Sequence, residues 1–158
     1  MERTAVRLNL GACDRVIENF ISVDLVPPAD VVTDLSQAWP WPDSTIDEIV
    51  GYDIVEHLPD RIHCMNEMHR VMKPGARATI ETPNASRGAG FYQDPTHKSP
   101  FVMNSFQYFE DGAYAHTRLA RAYGITARFK VVELHEREYK DKYEPVWKIT
   151  AVLEAVKS

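Results

Sequence analysis

Two short stretches decide the fold: residues 8–14 are LNLGACD, and residues 21–25 are ISVDL. Each is an apolar run that ends in a turn, which is typical of buried strands in a parallel sheet. Gly11 follows the first strand, where a glycine lets the main chain approach a ligand in the crevice used by open α/β sheets. Asp24 ends the second strand, where a carboxylate can accept both hydroxyls of a ribose. Taken alone, an ordinary turn glycine and a capping or surface aspartate explain the pair equally well.

The spacing disfavours a nicotinamide dinucleotide. Asp24 lies 13 positions after Gly11, fewer than the ~20 usual in dinucleotide-binding proteins, and the pattern G-x-G-x-x-G is absent. Residues 14–19 leave little room for a long helix whose N–H groups could bind a diphosphate. A nucleoside without phosphates makes no such demand.

The rest of the chain predicts an α/β fold in one domain, residues 1–158. Apolar runs at residues 5–10, 20–24, 30–34, 48–52 and 77–82 predict buried parallel strands. Helical patterns cover about residues 59–72, 104–109 and 113–123. Alternating segments at about 127–137 and 146–156 predict an antiparallel pair. We therefore expect a mostly parallel seven-stranded sheet with a reversed C-terminal strand and few helices.

Composition and charge limit the function. Of the 158 residues, 44% are hydrophobic and 26% are charged, which indicates a globular protein and argues against disorder or a membrane span. The first residues lead directly into a strand and lack the pattern of a signal peptide, so a cytoplasmic location is expected. The net charge of −5 disfavours nucleic acid as a partner. Cys13 and Cys64 match no metal or redox spacing.

Further segments follow in a recognisable order: 34–35 (DL), 39–50 (WPWPDSTIDEIV), 52–58 (YDIVEHL) and 67–75 (EMHRVMKPG). With the glycine turn and Asp24, this set resembles the class I S-adenosylmethionine-dependent methyltransferases, especially short bacterial and phage-type members. The resemblance is strong over about residues 8–84 and weak beyond. It implies a Rossmann-like fold, S-adenosylmethionine as cofactor, and methyl transfer to a small-molecule hydroxyl or amine.

The resemblance assigns the glycine turn to the methionine part of the cofactor. The main chain of Leu10, Gly11 and Ala12 would lie against it. Cys13 stands where the family usually has a second glycine. Its side chain would then occupy space that the family leaves for the ligand, and cofactor binding would be weakened.

Four residues after the second and third strands are assigned to the nucleoside. Asp24 would hold the ribose hydroxyls, and Leu25 would pack on the adenine ring. Asp34 and Leu35 would meet the edge of the adenine that carries its amino group.

The remaining candidates concern the reacting groups. Tyr52 and Asp53 would close over the methionine and the sulfonium, and His57 would either touch the cofactor or cap the next helix. In the loop of residues 88–100, His97 is the candidate base that takes a proton from the acceptor. Asp94 would pair with it, and a merely structural bond between the two is the competing interpretation.

No metal site is expected from the regularly spaced histidines. His57, His63 and His69 lie six residues apart, and each step rotates the side chain by about 600° around a helix. They would therefore point in different directions.

The short connections predict a gap in the helical layer over the first three strands. Apolar parallel strands need cover on both faces, so we expect a homodimer, or the region after Phe101, to fill the gap.

Two other function classes stay open. One is a module that binds the cofactor without catalysis, and the other is a different nucleoside-using α/β enzyme. A nucleic-acid methyltransferase is disfavoured, because no Asn-Pro-Pro-Tyr-type segment follows the fourth strand.

Overall fold

A single seven-stranded sheet organises the computed structural model, which describes residues 3–112 and 117–158. The strand order is β3-β2-β1-β4-β5-β7-β6. Strand β7 runs antiparallel to β5 and β6, and the other neighbours pair in parallel. The predicted sheet with its reversed C-terminal strand is confirmed. The strands are β1 (Arg7–Leu10), β2 (Ile21–Asp24), β3 (Val31–Val32), β4 (Ile46–Tyr52), β5 (Met72–Gly88), β6 (Phe129–Tyr139) and β7 (Val146–Ala155).

Helices are few and short in the described part of the chain. Helix α1 (Arg61–Val71) joins β4 to β5, and the Asp60 carboxylate caps it by accepting the His63 N–H at 3.0 Å. Helix α2 covers only Arg118–Ala122 of the predicted 113–123, and residues 113–116 lie outside the described residues. Two 3-10 helices, Val55–His57 and Met103–Phe109, complete the set. None of these helices is long and apolar enough to cross a membrane.

The core lies on one face of the sheet. Leu8, Ile49, Ala78 and Leu153 occupy one register row across four strands, and all four are buried. The buried side of α1 packs in the same apolar cluster, together with Phe106 and Phe109 of the second 3-10 helix and other core residues. Burial of this kind stabilises a fold by about 25 cal/mol per Å² of apolar surface.

The opposite face of the sheet carries a row of charged side chains. Arg7, Glu48, Arg77 and Glu154 form the adjacent register row. Arg7 pairs with Glu48 at 3.2 Å, and Arg77 pairs with Glu154 at 3.1 Å. Charged side chains tolerate water, so this row needs no apolar cover. It includes only Arg7 from the first three strands, and the gap predicted over those strands stays a prediction.

The homodimer itself stays a prediction. Among the described residues, large apolar side chains are exposed near β2 and β3: Leu25 is 64% exposed, Val26 59% and Val32 51%. Light scattering of the purified chain tests whether they contact a second copy.

Arg70 on α1 holds the connection between β3 and β4 in place of a crossover helix. Its guanidinium donates to the main-chain oxygens of Trp39 at 3.0 Å and Trp41 at 2.9 Å. It also pairs with Glu67 at 2.7 Å, and this pairing lowers the pKa of Glu67 below its ordinary value. The Trp39 indole donates to the main-chain oxygen of Leu35 at 3.0 Å. This network fixes Leu35 at the carboxyl-terminal edge of the sheet.

Candidate active site

The turn after β1 is built around Gly11. Its φ of +61° lies in the left-handed region that favours glycine. A Cβ added there would come within 2.7 Å of the Ile54 side chain. The next residue, Ala12, donates its N–H to the Val23 carbonyl at 3.1 Å, which holds the turn against β2. The turn therefore requires glycine both for its backbone angle and for its packing.

The carboxylate of Asp24 is held at the end of β2 by two main-chain donors. Cys13 donates its N–H to Oδ2 at 2.7 Å, and Leu25 donates its N–H to Oδ1 at 2.7 Å. Each carboxylate oxygen accepts more than one hydrogen bond, so both oxygens keep capacity for a further donor. Their position is set before any ligand arrives.

A cavity of about 230 Å³ opens beside this carboxylate at the carboxyl-terminal edge of the sheet. Its lining combines two carboxylates, two hydroxyls, an imidazole and the Lys98 ammonium with an apolar wall of leucines, an isoleucine and a proline. Hydrogen bonds from the Ser36 hydroxyl and N–H lower the pKa of Asp34. The lining residues are Gly11, Asp24, Leu25, Thr33, Asp34, Leu35, Ser36, Ile54, His57, Leu58, Pro59 and Lys98.

A second cavity of about 240 Å³ adjoins the first, and His57 lines both. Lys148 on β7 donates to Asp53 at 2.7 Å, and its Nζ lies 3.7 Å from Glu81. Burial lowers the pKa of Lys148, but the pairing with Asp53 outweighs it and raises that pKa overall. We call this cavity the Lys148 pocket. Its lining residues are Asp53, Glu56, His57, Pro83, Gly90, Gln93, Asp94, His97, Val146 and Lys148.

Glu56 lies at the back of the Lys148 pocket and is completely buried. Its Oε2 accepts the Thr82 hydroxyl at 2.9 Å, whereas its Oε1 has no hydrogen-bond partner. Burial raises the pKa of Glu56 to about 7, and the nearby charge of Asp53 contributes in the same direction.

His97 lies over Glu56. Its Nε2 is 3.9 Å from Glu56 Oε1 and 3.5 Å from Asp94 Oδ2. Its Nδ1 lies 2.7 Å from the main-chain oxygen of Phe91, so Nδ1 carries the proton and donates it. Nε2 therefore keeps a free lone pair in the neutral ring.

The loop that carries His97 is tied to the segment after β4. The N–H groups of Lys98 and Ser99 both donate to the Glu56 carbonyl, at 2.7 and 2.9 Å. Thr96 bridges the two sides, because its hydroxyl donates to Asp94 at 2.7 Å and lies 3.0 Å from His57 Nδ1. These bonds bring residues about 40 positions apart into one site.

Solved structures with the same fold belong to methyltransferases. An S-adenosylmethionine-dependent methyltransferase from Methanosarcina mazei is 12% identical with a TM-score of 0.66, over 100% of this chain and 95% of that one. A 1,6-didemethyltoxoflavin-N1-methyltransferase from Burkholderia thailandensis is 16% identical with a TM-score of 0.63, over 98% of this chain and 72% of that one.

Sequence comparison agrees with the fold. A family model described as a methyltransferase domain matches residues 4–80, which include the glycine turn, Asp24 and α1. A protein of Mycolicibacterium smegmatis, named "Probable S-adenosylmethionine-dependent methyltransferase", is 38% identical over 45 residues. That stretch is 28% of this chain and only 18% of the relative's length. The family model, which spans just under half of the chain, the relative and the fold together indicate a class I S-adenosylmethionine-dependent methyltransferase.

Six of the residues that the sequence assigned to the cofactor line the first cavity: Gly11, Asp24, Leu25, Asp34, Leu35 and His57. Leu10 and Ala12 are buried beneath the turn. The alternative role predicted for His57 was to cap the next helix, α1. In the structure, Asp60 caps that helix.

Three other assigned residues lie outside that cavity. Cys13 lines a separate hollow together with Asp14 and Arg15 and is not among the residues that line the first cavity. The Arg15 guanidinium lies over the Tyr52 ring, with its Cζ 4.7 Å from the ring centre. Asp53 lines the Lys148 pocket instead.

Sequence reasoning missed Ile54, Lys98 and Glu56. Lys98 lines the first cavity and directly follows His97 in the chain, which is a signal that was available. Glu56 precedes His57 in a segment that the resemblance already covered. Its burial depends on Thr82 and on the distant loop, so no local pattern indicated it.

Proposed function

We propose that this protein transfers the methyl group of S-adenosylmethionine to a hydroxyl or amine of a small polar molecule. The observation that carries the proposal is that the first cavity, taken as the cofactor cavity, adjoins the Lys148 pocket, with His57 in the lining of both. Methyl transfer is an in-line displacement, so the protein must hold donor and acceptor nearly in contact. Two cavities that meet at one side chain satisfy this requirement.

The first cavity fits the nucleoside part of the cofactor. The fixed carboxylate of Asp24 can accept a ribose diol, and Leu25 and Leu35 offer an apolar surface to a flat base. The volume of about 230 Å³ is below the ~300–1,000 Å³ usual for whole small molecules, so we assign only the adenosine part to it. When bound, the cofactor supplies the electrophilic methyl group.

The Lys148 pocket fits the acceptor. Its volume of about 240 Å³ admits only a small group, and the pair of Lys148 and Asp53 offers both a donor and an acceptor of hydrogen bonds. The Burkholderia neighbour was solved with a small heterocycle, 1,6-didemethyltoxoflavin, and S-adenosylhomocysteine bound. That likeness supports a small-molecule acceptor here as well.

His97 is the proposed base. Its free Nε2 faces two carboxylates, Glu56 at 3.9 Å and Asp94 at 3.5 Å, and either one stabilises the imidazolium that forms when the ring takes a proton. A positioned base of this kind contributes about 10²–10⁴-fold to a rate.

A methyl-transfer assay with His97→Asn tests the proposal. We expect turnover of small hydroxyl and amine acceptors to fall at least a hundredfold, while the Kd for S-adenosylmethionine stays unchanged. His135→Asn on β6 is the matched control and should keep full turnover, because His135 lines neither cavity. Equal turnover in His97→Asn would remove this residue from the mechanism. Cofactor binding without transfer to any acceptor would favour the non-catalytic module instead.

A further inference from the structure

Three side chains of different origin converge at the back of the Lys148 pocket. Glu56 and His57 come from the 3-10 helix after β4, and His97 comes from the loop after β5. Each offers one ligand atom, a carboxylate oxygen or a ring nitrogen, and these atoms all lie within 4.8 Å of one another. Two imidazoles and one carboxylate form a donor set that binds divalent transition metals.

The carboxylate in this cluster has an unsatisfied oxygen. Glu56 is 0% exposed, and its Oε1 has no hydrogen-bond partner. A buried polar atom without a partner costs stability, and native proteins rarely keep one without a reason. The nearest ring nitrogen is His97 Nε2 at 3.9 Å. This orphan oxygen therefore faces the place where a cation would lie.

Both histidines are held as metal-binding histidines usually are. His97 donates its Nδ1–H to the Phe91 carbonyl, which leaves the Nε2 lone pair free. The Thr96 hydroxyl gives its proton to Asp94 and therefore accepts the Nδ1–H of His57, which leaves Nε2 of His57 as the free nitrogen. An N–H bond to a carbonyl, a hydroxyl or a carboxylate fixes the tautomer and orientation of a metal-ligating ring.

We propose that Glu56, His57 and His97 bind one divalent transition-metal ion, with Zn²⁺ as the prototype. Bond lengths of about 2.0–2.2 Å to nitrogen and oxygen require ligand atoms roughly 3.3 Å apart in a tetrahedral site. The distance of 3.9 Å between His97 Nε2 and Glu56 Oε1 must shorten by about 0.6 Å, and the other distances, up to 4.8 Å, by as much as about 1.5 Å. The larger movement falls to His57, whose ring is only partly buried. Three protein ligands leave a fourth position open to the pocket.

The metal site and the proposed base use the same lone pair of His97. An ion bound there would supply Lewis-acid chemistry by lowering the pKa of a coordinated hydroxyl or water, and His97 would then serve as a ligand and not as the base. Metal binding does not rest on the proposed function, because it needs only the three ligands and no S-adenosylmethionine. No local spacing of histidines or cysteines indicates this site, because Glu56 and His97 lie about 40 positions apart in the chain.

Calorimetric titration of chelator-treated protein with Zn²⁺, without S-adenosylmethionine, tests the proposal. We expect one equivalent to bind with micromolar or lower Kd. Co²⁺ should bind at the same stoichiometry and give a visible absorption band of a site with nitrogen and oxygen ligands. A large excess of Mg²⁺ should not displace either ion, since nitrogen ligands favour transition metals.

Two variants locate the site. Glu56→Gln and His57→Asn should each raise the Kd for Zn²⁺ at least tenfold, and circular dichroism shows whether each variant is folded. His135→Asn is the control for binding to a surface histidine and should leave the Kd unchanged. Absence of one-equivalent binding would overturn the proposal, as would unchanged affinity in either folded Glu56→Gln or folded His57→Asn. A failed methyl-transfer assay would leave this result untouched.

Discussion

Replacing Glu56 by glutamine should remove a large part of the pH dependence of stability. Burial raises the pKa of Glu56 from 4.5 to about 7 in the folded protein. A raised pKa means that the folded state binds the proton more tightly than the unfolded state. The resulting stability is fully present below pH 4.5 and is lost as the pH rises through 7.

The size of the effect follows from the shift. One pKa unit corresponds to about 1.4 kcal/mol, so the contribution of Glu56 to the free energy of unfolding falls by about 2.5 kcal/mol between pH 5 and pH 8. Glutamine has nearly the same shape and can still accept the Thr82 hydroxyl, but it does not titrate. Between pH 5 and pH 8, the free energy of unfolding of the variant should therefore fall by about 2.5 kcal/mol less than that of the wild type.

Urea unfolding at pH 5 and pH 8, followed by circular dichroism, measures the difference. A chelator must be present, because a bound cation would stabilise the ionised carboxylate. Glu133→Gln on the exposed side of β6 is the control for removal of one carboxylate and should follow the wild type. If Glu56→Gln shows the same pH dependence as the wild type, the carboxyl group is not buried as described and the reasoning is refuted.

Two further substitutions test the parts of the fold that position the site, both by urea unfolding. Gly11→Ala should lower the free energy of unfolding by about 2 kcal/mol or more, because a Cβ adds left-handed backbone strain and collides with Ile54. Gly75 also has a positive φ but lies in open space, so Gly75→Ala should show only the loss due to strain. Equal losses in the two variants would refute the packing argument. Arg70→Lys should lower the free energy of unfolding by about 1–2 kcal/mol, because lysine keeps the charge but cannot bond both tryptophan carbonyls at once. An unchanged urea midpoint would show that the network does not hold the β3–β4 connection.

The strands could be predicted because each is a local pattern. The apolar run before Gly11 and the alternation after residue 146 depend on near neighbours, and the structure has strands at both. Strand lengths were less predictable. Strand β3 has only two residues instead of five. Strand β5 runs over Met72–Gly88, because Met72 pairs with Ile46 of β4 at one end and Gly88 pairs with Val146 of β7 at the other.

The charged row of the sheet could have been recognised from the sequence. Arg7 and Glu48 alternate with the buried Leu8 and Ile49, which is the pattern of a sheet with one wet face. The expectation that parallel strands are covered on both sides outweighed that signal. The cluster of Glu56 and His97 could not be predicted, because it depends on hydrogen bonds between segments about 40 residues apart.

The most direct test of the account is calorimetric titration with S-adenosylmethionine and S-adenosylhomocysteine. The account predicts that both bind with one equivalent and micromolar Kd, and that Asp24→Asn weakens both at least tenfold because the ribose loses its anionic acceptor. Asp141→Asn, in an exposed turn away from the cofactor cavity, should bind like the wild type. No binding by the wild type, or unchanged affinity in a folded Asp24→Asn variant, would contradict the assignment of this cavity.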